Sequence, residues 1–159
     1  MKNKLSVLVF FLLMFSTISA QDERWLEMVT LDGKEIYIDT TTVERNETEV
    51  TVWVKEIYTK DLQKRQYLTR LQNSMSQTRS DKKSWDKKWS KKLLGLSYTL
   101  SKRVYDCVNS EFQVLEISEY DSNGKRILKT ATKKKNAPWR SVEFDTIGDV
   151  LMFEVCDNY

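Results

Sequence analysis

Apolar and polar residues alternate along several short segments of the chain, and a strand with one buried face has this period of two. In the clearest segment, 50–58, Val50, Val52 and Val54 share one face and Trp53 lies on the other. These segments are rich in β-branched and aromatic residues, which suit a pleated, half-buried surface. The pattern predicts strands over 25–29, 35–39, 50–58, 96–108, 112–120 and 126–132.

Turn signals separate these segments and predict antiparallel neighbours. Asp32-Gly33 lies between the first two segments, and Asn123-Gly124 lies between 112–120 and 126–132. Dipeptides of this kind favour the tight turns that join two strands of a hairpin. We therefore expect a sheet built mainly from hairpins.

The interval 60–92 breaks the strand pattern. Leu68, Leu71 and Met75 have the i, i+3, i+7 spacing of a helix, and Trp85 and Trp89 are four residues apart. The sequence predicts that 60–92 is a basic insertion, either helical or partly disordered.

The last segment, 146–156, fits two structures. Thr146 followed by Asp149 resembles a helix cap, and Ile147, Val150, Leu151 and Val155 would share one helix face. However, its valines and aromatic residue also suit a strand, and Gly148 weakens a helix by about 1 kcal/mol relative to Ala. Propensity leaves helix and strand equally favoured here.

The first twenty residues have the order of a cleavable signal peptide. Lys2 and Lys4 precede an apolar run over 5–15, and small residues follow up to Ala20. The apolar run is shorter than the roughly 20 residues that span a bilayer, although an uncleaved anchor is the alternative. We expect a signal peptide over 1–20 and one domain over 21–159, with no later transmembrane segment. The mature protein would lie in the periplasm, on the cell surface or outside the cell.

Charge is unevenly distributed along the chain. The formal net charge is +3, and it falls to +1 without residues 1–20 because Lys2 and Lys4 leave with them. The net charge is −6 over 21–59, +8 over 60–92 and −1 over 93–159. An acidic first part thus precedes a basic middle.

Histidine and cysteine content limits the chemistry. The chain has no His and two Cys. His-based catalysis, His-ligated metal or haem and a four-thiolate zinc site within one chain are therefore excluded. In an exported chain, Cys107 and Cys156 would pair, and closing the loop of about 50 residues would stabilise the fold by roughly 4 kcal/mol. Two buried free thiols are the alternative.

The basic middle contains a candidate polyanion-binding patch. Lysines supply positive charge and two tryptophans supply flat contact faces for a glycan, lipopolysaccharide, nucleic acid or acidic protein. The alternative is a solvated helix whose tryptophans cover the core. The patch comprises Lys82, Lys83, Trp85, Lys87, Lys88, Trp89, Lys91 and Lys92.

Several short motifs occur in a recognisable order along 25–156. They are Tyr37-Ile38-Asp39, Val52 to Lys55, Tyr105-Asp106-Cys107, the Tyr120 to Gly124 hairpin, Trp139 and the closing Cys156. In this order, and with the Cys pair, the chain resembles the surface-adhesin protein E family of exported bacterial proteins. The resemblance departs at 144–146, where the family tends to have a Pro-Gly-Ser-like turn, and in the length of the 60–92 insertion.

The resemblance implies an α+β fold with one curved antiparallel sheet of about six strands. A C-terminal helix would lie on the concave face, tethered by a Cys107–Cys156 disulfide. The family includes adhesins that bind host proteins such as vitronectin and laminin, and haem binding and dimerisation are also attributed to it.

These considerations predict a non-enzymatic exported protein that binds a protein or glycan macromolecule, as a surface adhesin. One alternative is a periplasmic accessory or inhibitor protein with a bacterial partner. Another is a small-ligand or haem carrier. We expect no catalytic residues, no metal, no cofactor and no nucleic-acid partner, and a homodimer is one expected assembly.

Overall fold

The structure is a computed structural model that describes residues 24–31, 33–78 and 91–159, and side chains are described throughout except over 75–78. The predicted signal segment 1–20 lies outside the described residues. So do Lys82, Lys83, Trp85, Lys87, Lys88 and Trp89 of the predicted patch.

The described chain forms eight strands and two long helices. Helix α1 spans Asp61–Thr78 and helix α2 spans Ile147–Asn158, with single 3-10 turns at Thr40–Thr42 and Lys134–Asn136. The strands are β1 (Trp25–Leu31), β2 (Lys34–Asp39), β3 (Glu44–Asn46), β4 (Glu49–Tyr58), β5 (Leu96–Asp106), β6 (Glu111–Asp121), β7 (Arg126–Ala131) and β8 (Arg140–Ser141).

All strand pairs of the sheet are antiparallel, and six strands form its main path in the order β1-β2-β4-β5-β6-β7. The short β3 continues the line of β2 along β4, and β8 pairs with the start of β6. Helix α1 belongs to the connection between β4 and β5, which are neighbours in the sheet. The predicted α+β fold with one antiparallel sheet of about six strands and a C-terminal helix is confirmed.

Both helices lie on the same face of the sheet. Directly paired residues of antiparallel strands share a face. Pairing places Ile36, Glu56, Thr99 and Glu119 in one line across β2, β4, β5 and β6. Tyr67 of α1 contacts Glu119 in that line, and α2 packs on Ile36 and its neighbours. We call this side the helix face and the opposite side the open face.

The apolar core lies between α2 and one end of the helix face. It is fully buried at its centre, as alternation predicts for the valines of β4. Its buried members are Ile36, Ile38, Val50, Val52, Val54, Tyr105, Leu151, Met152 and Val155.

Helix α2 is held at both ends. At its start, the Thr146 hydroxyl accepts a hydrogen bond from Asp149 N at 3.3 Å, as the cap predicts, while the Asp149 carboxylate accepts from Asp145 N. Near its end, Cys156 forms a disulfide with Cys107, which directly follows β5. The predicted tether is therefore confirmed, and the segment is a helix rather than a strand.

The predicted apolar stripe of α2 is wrong at one position. Val150 is 42% exposed, whereas Met152, which the stripe omits, is buried. The helix meets the sheet with the side that carries Leu151, Met152 and Val155, and the core leaves Val150 outside.

The turn between β1 and β2 requires glycine. Gly33 has a φ of +89°, and a Cβ there would lie 2.8 Å from the Cβ of Lys60. Thr59 N donates to the Gly33 carbonyl oxygen at 3.0 Å. The start of α1 is thus fixed against this turn.

Candidate binding surfaces

Beyond the apolar core, the helix face carries a buried ion-pair network. Glu56 accepts from Arg103 at 2.5 Å and from Lys34 at 2.7 Å, and all three side chains are mostly buried. Burial alone would raise the pKa of Glu56, but the two cations outweigh it and lower that pKa from 4.5 to about 2. The network is therefore charged at neutral pH.

Helix α1 covers this polar end through one aromatic residue. The Tyr67 hydroxyl donates to Glu119 Oε1 at 2.7 Å, and the Tyr67 ring lies 5.3 Å from the Tyr58 ring. Glu119 is 1% exposed, and burial raises the pKa of its carboxyl group. Its Oε2 has no hydrogen-bond partner among the described residues. Helix α1 thus meets this end of the helix face through polar contacts, whereas α2 meets the other end through the apolar core.

The open face carries a row of aromatic rings and cations across several strands. Lys55 Nζ lies 5.3 Å from the ring centroids of both Trp25 and Tyr98. Tyr98 and Tyr120 are parallel at 4.9 Å. Arg24 also lies over Trp25, at 5.3 Å. The rings of this row are half-buried, so each keeps part of its surface in contact with solvent.

One corner of the open face is covered by the 132–139 loop. With its amide turned to donate, the Gln113 side chain reaches the carbonyl oxygens of Lys134 and Ala137 at 3.2 and 3.1 Å. Val104, which pairs with Gln113, is buried there. The rest of the open face is free of the two described helices.

A groove of about 640 Å³ runs between β1 and α2. Five of its eight lining residues are apolar and three are acidic, and we call the acidic ones its rim. Phe144 is 90% exposed and Phe153 is 67% exposed. The lining residues are Leu26, Glu27, Met28, Phe144, Asp149, Val150, Phe153 and Glu154.

The structure places only part of the predicted site residues. Cys107 and Cys156 are bonded as predicted. Lys91 and Lys92 are exposed and directly precede the buried Leu93. The rest of the patch is outside the described residues, so polyanion binding there stays a prediction.

Sequence analysis missed the ion-pair network, although a signal was present. Glu56 continues the every-second-residue series of Val50, Val52 and Val54 and therefore falls on the buried face. A carboxylate in that position needs a cationic partner. The groove gave no comparable signal, because its residues come from segments far apart in the chain.

Over residues 24–31, 33–78 and 91–159, no group of three or more Cys, Asp or Glu side chains is placed to hold a metal ion. Among the described helices, none is both long and apolar enough to cross a bilayer.

Comparison with known proteins identifies the family. The family model of surface-adhesin protein E matches residues 25–157. The chain belongs to the surface-adhesin protein E family. The match begins at the first residue of β1 and ends inside α2, so it includes the whole described sheet and both cysteines.

Solved structures of a protein E share the fold. Crystal form II of Haemophilus influenzae protein E has a TM-score of 0.52 and 16% identity, over 86% of this chain and 90% of that chain. A second structure of Haemophilus influenzae protein E has a TM-score of 0.51 and 16% identity, over 86% of each chain. At this identity the likeness establishes the protein E fold and no individual binding residue. Among curated proteins, none matches the sequence.

Proposed function

We propose that the chain is an exported, non-enzymatic adhesin that binds a host matrix macromolecule through the open face of its sheet. Membership of the surface-adhesin protein E family supports adhesion and export. The observation that carries the choice of surface is the row formed by Trp25, Lys55, Tyr98 and Tyr120.

The dimensions of the open face suit a macromolecule. Six strands about 4.8 Å apart, which range from six to eleven residues in length, span a face of roughly 700 Å². A stable protein–protein interface buries about 800 Å² on each partner. Trp and Tyr, which supply three of the four residues of this row, are among the types that contribute most to binding energy in such interfaces.

Location is the first test of this function. Intact bacteria that express the chain should lose it to an added protease, while a periplasmic protein in the same cells stays intact. Complete protection of the chain until the outer membrane is opened would contradict the adhesin function. That result would favour an accessory protein with a periplasmic partner.

Binding through the open face is the second test. The purified mature chain should bind surfaces coated with laminin or vitronectin, and Trp25→Ala combined with Lys55→Glu should weaken this binding at least tenfold. Two controls make an apolar truncation and the same charge reversal elsewhere: Leu62→Ala on the exposed side of α1, and Lys133→Glu in the exposed loop. Binding that is absent, or equal in all variants, would contradict the proposed surface.

We also propose that the basic stretch ending in Lys91 and Lys92 binds polyanions. These two lysines are exposed, and the interval 60–92 has a net charge of +8. Replacing Lys87, Lys88, Lys91 and Lys92 with Ala should lower the salt concentration that elutes the chain from heparin. Replacing the exposed Lys133 and Lys135 is the control, and equal elution of both variants would contradict the patch.

A further inference from the structure

Strand β1 forms an edge of the sheet. In the described part of the chain it pairs with one strand, β2. An edge strand presents backbone N–H and C=O groups that can pair with an added strand. Such an edge is a binding element when side-chain pockets lie beside it.

The groove beside β1 supplies apolar anchors. Leu26 of β1 is 39% exposed, and Phe144 and Phe153, on the other side of the groove, are 90% and 67% exposed. Phe144 and Phe153 line the same groove, and exposed apolar side chains that adjoin one another mark a binding site more often than singly exposed ones. The groove is open to solvent and adjoins β1, so side chains of a strand that lies along β1 would reach its apolar lining.

The acidic rim of the groove favours a ligand with cationic side chains. Asp149 and Glu154 of α2 line it, whereas Glu27 pairs with Tyr37 and so directs its carboxylate towards the open face. No Lys or Arg is among the described lining residues. The segment 142–159 contains five acidic residues and no basic one. Cationic side chains on the ligand would therefore be attracted, and acidic ones repelled.

The same rim argues against a second copy of this chain. A symmetric dimer through β1 would bring identical surfaces together, since a two-fold interface uses the same patch on both subunits. Asp149 and Glu154 of one copy would then share an interface with the same acids of the other. Like charges in an interface cost several kcal/mol.

We infer that the β1 edge and the adjoining groove bind an extended peptide segment of another protein, one that alternates apolar and basic residues. The peptide adds a strand to β1, places its apolar side chains on Phe144 and Phe153, and directs its Lys or Arg side chains to the acidic rim. This inference goes beyond the proposed function because it concerns a different surface, and it holds whether the partner is a host or a bacterial protein.

Synthetic peptides test the inference on the oxidised mature chain. The probe is a fluorescent peptide of about ten residues, an ordinary strand length, that alternates Lys and Val around a central Phe. It should bind with at least tenfold higher affinity than the same peptide with Glu for Lys, and its affinity should fall as salt is added. Methylation of alternate backbone nitrogens should abolish binding, because it removes the donors that pair with β1.

Matched variants locate the binding. Phe153→Ser should weaken binding of the Lys peptide at least tenfold, while Leu62→Ser, which removes a similarly exposed (64%) apolar side chain from α1, should leave it unchanged. Glu154→Gln should reduce both the affinity and its salt dependence. Because these side chains are partly or largely exposed, thermal unfolding should show that the variants still fold.

Three results would overturn the inference. The first is equal binding, or none, of the Lys and Glu peptides. The second is unchanged binding by Phe153→Ser. The third is a dimer of the wild-type chain that Phe153→Ser dissociates, since the groove would then be filled by a second copy. Failure of cell-surface location or laminin binding would leave all three measurements unaffected.

Discussion

Each end of the helix face is covered by one helix, and different forces hold the two helices to the sheet. At one end, α2 buries Leu151 and Val155 against valines and is bonded to the sheet through Cys156. At the other, α1 rests on a polar network through Tyr67. Apolar burial is non-directional and scales with area, whereas a polar contact depends on the geometry and ionisation of each group. Stability should therefore be concentrated under α2, and pH dependence under α1.

The largest difference between the two ends should appear when the tether is removed. Replacing Cys107 and Cys156 with Ser opens a loop with a sequence separation of 49. It should lower the free energy of unfolding by about 4 kcal/mol. Hydrogen exchange should show α2 amides losing protection while those of 61–74 keep it.

A reductant is the control for the tether. It should reproduce the loss in the wild-type chain and have no effect on the double variant. If α1 and α2 lose protection together in the double variant, the two ends unfold as one cooperative unit. That result would contradict the concentration of stability under α2.

Core truncation under α2 should have the next largest effect. Leu151→Ala removes a fully buried side chain and should cost about 3 kcal/mol in urea unfolding. Leu62→Ala, on the exposed side of α1, is the matched change and should cost less than about 0.5 kcal/mol. Similar losses in the two variants would contradict the concentration of stability under α2.

The two carboxyl groups of the polar end should respond to pH in opposite directions. Because the pKa of Glu56 falls from 4.5 to about 2 on folding, its ion pairs stabilise the fold above pH 4.5 and are lost as the pH falls towards 2. Burial raises the pKa of Glu119, so its favourable contribution is complete at low pH and is lost as the pH rises through the raised value.

Urea unfolding across pH measures both effects. Glu56→Gln should cost about 2 to 3 kcal/mol at pH 7, and the cost should shrink as the pH approaches 2. Glu119→Gln should flatten the decline in stability at higher pH, because the amide can still accept from Tyr67 and carries no charge. Parallel pH profiles for the two variants would show that the carboxyl groups share one environment.

The smallest effect should come from the hydrogen bond between Tyr67 of α1 and Glu119 of β6. Tyr67→Phe leaves Glu119 without this donor and should cost about 1 kcal/mol. Tyr37→Phe is the matched control, since the Tyr37 hydroxyl donates to Glu35 at 3.0 Å on the solvent-facing open side. A loss in Tyr67→Phe that does not exceed the control would mean that α1 is held by other contacts.

The sheet was predictable because its signals are local. Alternation in 50–58 identifies the buried face of β4, and Asn123-Gly124 identifies a hairpin that Asp121 completes by accepting from Asn123 N and Lys125 N. The face of α2 was less predictable. Thr146 identifies where the helix begins, but only the packed sheet determines that Met152 is buried and Val150 is not.

The binding surfaces depend on contacts between distant segments and were predictable only in part. Glu56 was detectable on the valine face, but its partners Lys34 and Arg103 come from other strands. The groove requires β1 and α2, which are more than a hundred residues apart, to lie side by side. Hydrophobic periodicity within one segment gives no information about which distant segment packs beside it.

The disulfide also determines how the chain responds to mechanical load. The 49 residues of sequence separation between Cys107 and Cys156 correspond to a contour length of roughly 160 Å at about 3.3 Å per residue. A force applied between the first strand and residue 159 passes across the sulfur–sulfur bond. It bypasses residues 108–155, which contain β6, β7, β8 and most of α2. Under tension, that part of the molecule cannot be drawn out into extended chain until the bond is reduced.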